Sequence, residues 1–147
     1  MRTRRKSVQT RVQYGALPYR KNGGARTEVM LVTSRETHRW IIPKGWPHKG
    51  RTPHRSAARE AYEEAGVVGR VRRDSLGSFS YEKRLPTGGT VVCKVHVFAL
   101  EVRRQSREWP EKSEREVKWL SPGQAAKVVK EPMLAKIIRR LARVTTP

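Results

Sequence analysis

Three carboxylates, Glu60, Glu63 and Glu64, stand at i, i+3 and i+4, and this spacing constrains the chain more than any other feature. On a helix all three share one face. The flanks mark such a helix. Thr52 is a good N-cap, Pro53 fits the first turn and Gly66 is a suitable stop. Ala57, Ala58, Ala61 and Ala65 give the helix a small face, which lets its backbone lie close to a sheet. Arg59 is placed to pair with Glu63 at i+4 and fix its orientation. Three anions so close repel one another unless cations intervene. The face is therefore either fully solvated or a site for divalent cations, and hard oxygen ligands select Mg2+ or Mn2+ over zinc.

The segments on either side read mainly as strands. Arg11–Arg20 alternates apolar with polar residues, and Val29-Met30-Leu31-Val32 within Glu28–Ser34 is a continuous apolar run. Trp40-Ile41-Ile42 stops at Pro43, and a loop rich in Gly, Pro and cations follows over residues 43–51. After the helix come strands near Val68–Arg72, Leu76–Glu82, Thr90–Val102 and Val117–Leu120. Ser121-Pro122 opens a helix to about Lys130, and Pro132 opens the last one, with Leu134, Ile137, Ile138 and Leu141 as its apolar stripe. Strands, one central helix, more strands and then helices predict an α/β class, a mixed sheet flanked by helices on both faces. A single domain over residues 10–145 follows a loose basic segment over residues 1–9.

Charge narrows the partners. Thirty-three Lys and Arg against thirteen Asp and Glu give +20. A chain this basic attracts polyanions: nucleic acid, an acidic membrane or a small molecule dense in phosphates. The lone Cys93 forbids an intramolecular disulfide, which suits a reducing cytoplasm. The most apolar run, Val91–Leu100, is interrupted by Lys94 and His96 and falls far short of the ~20 apolar residues that span a bilayer. No membrane partner is expected. Cys93 shares a face with Val91, Val95 and Val97 and reads as core. Lys94 and His96 lie on the other face, His96 as a sheet histidine or a cleft residue.

Gly45, five residues, Arg51, seven residues and then Arg59-Glu60-Ala61-Tyr62-Glu63-Glu64-Ala65-Gly66-Val67 resemble the Nudix signature. That signature is Gly-x5-Glu-x7-Arg-Glu-U-x-Glu-Glu-x-Gly-U, with U a bulky aliphatic residue. Arg51 replaces the first acid of the pattern, and Ala61 is a small residue at the first U. Gln9-Thr10-Arg11, Glu28–Ser34, Arg39-Trp40-Ile41-Ile42-Pro43 and Val117-Lys118-Trp119-Leu120 are similar to the branch that cleaves diphosphoinositol polyphosphates and diadenosine polyphosphates.

The resemblance implies a Nudix-type α/β/α sandwich and hydrolysis of a phosphoanhydride bond by a metal-activated water. It implies Mg2+ or Mn2+ held by Glu60, Glu63, Glu64 and the carbonyl of Gly45, with Arg59 completing the catalytic set. Glu64 is the first choice of ligand and Glu60 the next. Glu111 and Glu114 are candidates for a further acid. Lys44, Arg39, Arg35, Arg11, Arg20, Lys49 and Arg51 are the candidate phosphate-binding residues, with His48 and Arg55 nearby in sequence. Trp40 and Trp46, on either side of the loop, either stack on a base or pack the hinge. The expected partner is a small polyanionic phosphorylated substrate. Two other readings stand beside it: a pyrophosphohydrolase of RNA 5′ ends, which the +20 charge favours, and a binding module without catalysis, which Arg51 favours.

Overall fold

The two longest patterned stretches of the sequence form the centre of the sheet. In the computed structural model, which describes residues 9–24 and 26–145, the strands are β1 (Thr10–Lys21), β2 (Thr27–Thr33), β3 (Trp40–Ile41), β4 (Lys44–Gly45), β5 (Val67–Val71), β6 (Gly77–Arg84), β7 (Thr90–Gln105) and β8 (Val117–Leu120). The helices are α1 (Pro53–Ala65), α2 (Pro122–Val128) and α3 (Pro132–Thr145). β1 and β7 run parallel side by side from Thr10↔Val92 to Tyr19↔Glu101. Every other pairing is antiparallel: β2 and β4 on β1, β3 and β8 on β2, β5 and β6 on β7. The sheet is thus mixed, and helices flank it as expected.

α1 packs on β1 and β5, while α2 and α3 pack on each other and against β2. The alanine face of α1 is what permits this, since Ala57, Ala61 and Ala65 have no exposed surface. Leu134, Ile138 and Leu141 of α3 are fully buried, as their stripe predicts. Cys93 is buried in the sheet. Among the described residues no helix is long and apolar enough to cross a membrane. The basic segment over residues 1–9 lies, apart from Gln9, outside the described residues.

The structure adjusts several boundaries. The loop over residues 43–51 contains β4, whose Lys44 and Gly45 pair with Gly15 and Tyr14. β7 runs on to Gln105 because its far end pairs with β5 as far as Val67. α2 ends at Val128, with Val129 already extended. Thr52 has the extended backbone of an N-cap, but its side chain makes no capping bond. The helix stop at Gly66 has two causes. Gly66 adopts φ +72, and a Cβ there would lie 2.3 Å from the indole of Trp109.

Candidate active site

The carboxylate face of α1 opens onto a cleft of about 1110 Å³. Glu60 and Glu64 are buried, whereas Glu63 is only partly so. The loop before α1 is fastened to the helix at two points. The backbone N–H of His48 donates to the Ser56 hydroxyl at 3.1 Å, and His48 Nε2 lies 2.6 Å from Glu60 Oε2. β4 holds the loop's other end on the sheet, and this brings Gly45 against Glu60. A Cβ on Gly45 would lie 2.1 Å from Glu60 Oε1. Only a glycine lets the backbone approach that carboxylate so closely.

Arg59 Nε donates to Glu63 Oε1 at 2.8 Å, the i,i+4 pair that the spacing predicts. Ligand atoms of His48, Glu60 and Glu63 lie within 4.8 Å of one another, close enough to share one cation. Glu64 faces inward. Burial pushes its carboxyl up to about 8, against the pull of Arg115 and Lys44 and with the push of Glu60 and Glu111. Glu60 and Glu63 converge with His48, and Glu64 lines the same cleft, so carboxylate oxygens suited to a hard divalent cation are gathered on this face. The residues present therefore fit Mg2+ or Mn2+, and a cation there would offset the cost of burying these anions.

A cation of the protein already does part of this. Arg115 donates to Glu111 Oε1 from Nε at 3.1 Å and from its second terminal nitrogen at 2.9 Å. It also donates to the Thr33 carbonyl at 3.0 Å and lies 3.7 Å from Glu64 Oε1. The segment that carries it is tied to the end of α1, because Glu111 N–H donates to the Glu63 carbonyl and Trp109 Nε1 to the Glu64 carbonyl. Reading the sequence missed Arg115. The only available signal was its i+4 position from Glu111, already a candidate acid. Glu111 lines the cleft, whereas Glu114 pairs with Arg35 at its rim.

The candidate phosphate-binding residues divide. Arg35, Arg39 and Lys44 line the cleft, joined by Lys83, Arg84 and Lys130, which the sequence did not single out. Arg39 is held by Glu131 at 2.8 Å. Lys44 Nζ sits 4.5 Å from the ring centre of Tyr81, whose hydroxyl donates to Gln13 Oε1. Burial draws the Lys44 ammonium below its ordinary value, with Glu64 opposing. Burial, aided by Cys93, raises the Tyr81 phenol.

The remaining cations are not brought to this cleft. Arg20 pairs with Glu28 and stacks 4.0 Å from the centre of Trp119. Arg11 stands 6.0 Å from the centre of Trp46, the loop tryptophan that does line the cleft. Lys49 and Arg51 are exposed outside its lining. Trp40 packs against the core. His96 sits beside Tyr14, away from the cleft, as a sheet histidine.

The NUDIX domain family profile matches residues 9–142. The chain is 31% identical to Nudix hydrolase 12, mitochondrial, of Arabidopsis thaliana over 91% of its own length and 73% of that protein's. It is 33% identical to diphosphoinositol polyphosphate phosphohydrolase 2 of Rattus norvegicus over 82% of its length, spanning 65% of that relative. The solved structure of C. elegans Ap4A hydrolase superposes with a TM-score of 0.65 at 19% identity, covering 94% of this chain and all of that one.

Proposed function

The chain belongs to the Nudix family and is a Nudix hydrolase, and we propose that it cleaves phosphoanhydride bonds of a small polyphosphorylated substrate with Mg2+ or Mn2+. Dinucleoside polyphosphates and diphosphoinositol polyphosphates are the substrate classes we favour. The observation that carries the reading is the buried pair Glu60 and Glu64 facing a cleft walled by Arg35, Arg39, Lys44, Lys83, Arg84 and Lys130. An acidic floor beneath cationic walls suits a metal–polyphosphate complex, because the floor takes the cation and the walls take the phosphate oxygens. Residues 10–145 act as one catalytic domain in this reading. Cys93, buried and without a partner cysteine, suits a reducing compartment such as the cytoplasm.

Glu60, Glu63, Glu64 and the Gly45 carbonyl would hold the metal. Bound there, it supplies a Lewis acid that lowers the pKa of water. Arg59 keeps Glu63 in one orientation, and Arg115 anchors Glu64 and Glu111. Lys44 and Arg39, both lining the cleft, take oxygens of the phosphate chain and hold it for in-line attack. One of the three carboxylates of α1 takes the proton of the attacking water.

The test is a panel of diadenosine polyphosphates, diphosphoinositol polyphosphates and 5′-triphosphate RNA, assayed with Mg2+ and with Mn2+ and read by product identity. Metal-dependent cleavage of one of the first two classes is expected. Turnover of the RNA alone would replace the substrate class. Binding without turnover of any of them would make the chain a ligand-binding module.

A further inference from the structure

The catalytic cleft leaves most of the charge of this chain unexplained. Six of its thirteen acids, Glu36, Glu60, Glu64, Glu82, Glu111 and Glu131, line that cleft. Seven cations, Arg35, Arg39, Lys44, Lys83, Arg84, Arg115 and Lys130, line it as well, so nearly all of the +20 excess lies outside the cleft. Part of that charge is gathered in a second groove of about 700 Å³, between the start of α1, the end of β5 and the last turns of α3. It shares no lining residue with the cleft. Arg55, Arg70, Arg72, Arg73 and Arg140 line it, against Asp74 and Glu101.

All five of these arginines are exposed. Arg140 donates to the Leu76 carbonyl at 3.1 Å. The side chains of Arg55, Arg70, Arg72 and Arg73 make no hydrogen bond or ion pair with the described residues, although two acids lie in the same groove. Glu101 is instead taken up by Arg103 at 2.9 Å. Five arginines against two acids leave the groove net positive, so a bound anion is stabilised there. Every cation in the groove is arginine, whose planar fork matches phosphate oxygens two at a time. The concavity suits a chain better than a flat bilayer.

We propose that this groove is a second binding site, separate from the catalytic cleft, that takes the sugar-phosphate backbone of a single-stranded nucleic acid. The arginines neutralise successive phosphates and carry no base specificity. Binding is therefore tolerant of sequence and steep in salt.

The test is fluorescence anisotropy with a labelled RNA of about 20 nucleotides ending in a 5′ hydroxyl, so that no terminal phosphate chain is offered to the cleft. It compares the full chain with a variant carrying Arg70→Gln, Arg72→Gln and Arg73→Gln. A control carries Lys118→Gln, Lys127→Gln and Lys136→Gln, three exposed residues outside both pockets, and so loses the same charge. The groove variant is expected to lose at least about tenfold in affinity, with the slope of log K against log salt shallower by about 2. The control loses far less, and the groove variant hydrolyses small substrates at the unaltered rate. Absence of RNA binding by the unmodified chain, equal losses in both variants, or full displacement of the RNA by inorganic tripolyphosphate at equal ionic strength would each overturn the proposal.

Discussion

Arg115 stands 3.7 Å from Glu64 and 2.9 Å from Glu111, so that one guanidinium serves two carboxylates of the cleft. Its side chain is only 10% exposed, and it also supplies the donor for the Thr33 carbonyl on β2. Arg115 thus joins the end of the carboxylate helix, the segment before β8 and the sheet.

Replacing Arg115 with Leu removes the cation and leaves two partly or fully buried carboxylates without it. Breaking the Arg115–Glu111 pair is costly because the Glu111 charge stays partly buried, while Glu64 takes up a proton instead, so a loss of about 3 kcal/mol or less is expected. Urea denaturation of the metal-free protein measures it. A midpoint indistinguishable from that of the unmodified chain would mean that Arg115 carries no structural role.

Metal binding should release a proton below about pH 8. Burial raises the Glu64 carboxyl to about 8, so near neutrality the metal-free group is mostly protonated. A metal ligand must be ionised, so binding displaces that proton. Affinity for Mg2+ accordingly rises with pH toward about 8 and levels off above it, where the carboxylate is already free. Because Arg115 lowers the Glu64 value, Arg115→Leu moves this window upward. Titration calorimetry in buffers of different ionisation heat reads the proton count, and no release near pH 7 would contradict the assignment of Glu64 as a ligand.

Gly45→Ala tests the contact between loop and helix. The added methyl would meet Glu60 Oε1 at 2.1 Å, and Glu60, the far end of a flexible side chain, would move. The expectation is a small change in stability, within about 1 kcal/mol, with turnover reduced by about 10- to 100-fold through the misplaced ligand. A parallel loss of stability and activity would instead point to a folding defect.

Much of the helix and its chemistry is readable before any coordinates. Pro53 and Gly66 bound α1, the alanines seat it, and the i, i+3, i+4 spacing puts Glu60, Glu63 and Glu64 on one side. Local rules decide all of this. What escapes the sequence is long-range. β4 is two residues long, too short for any period, and exists only because Tyr14 and Gly15 lie opposite it. Arg35 and Arg39 reach the cleft while Arg20 turns away to Glu28 and Trp119. Their separation depends on where β1 and β2 place them and not on their neighbours in sequence. Arg115 and Glu131 enter the cleft from distant segments for the same reason.

The most direct measurement is Mg2+-dependent hydrolysis by Glu64→Gln, which keeps the shape of the side chain and removes its charge. The account predicts correct folding and a fall in kcat/KM of roughly a hundredfold or more, since partners one step removed from a metal already contribute about 10- to 100-fold. Turnover equal to that of the unmodified chain at the same Mg2+ concentration would contradict it, and would move the metal site away from the carboxylate face of α1.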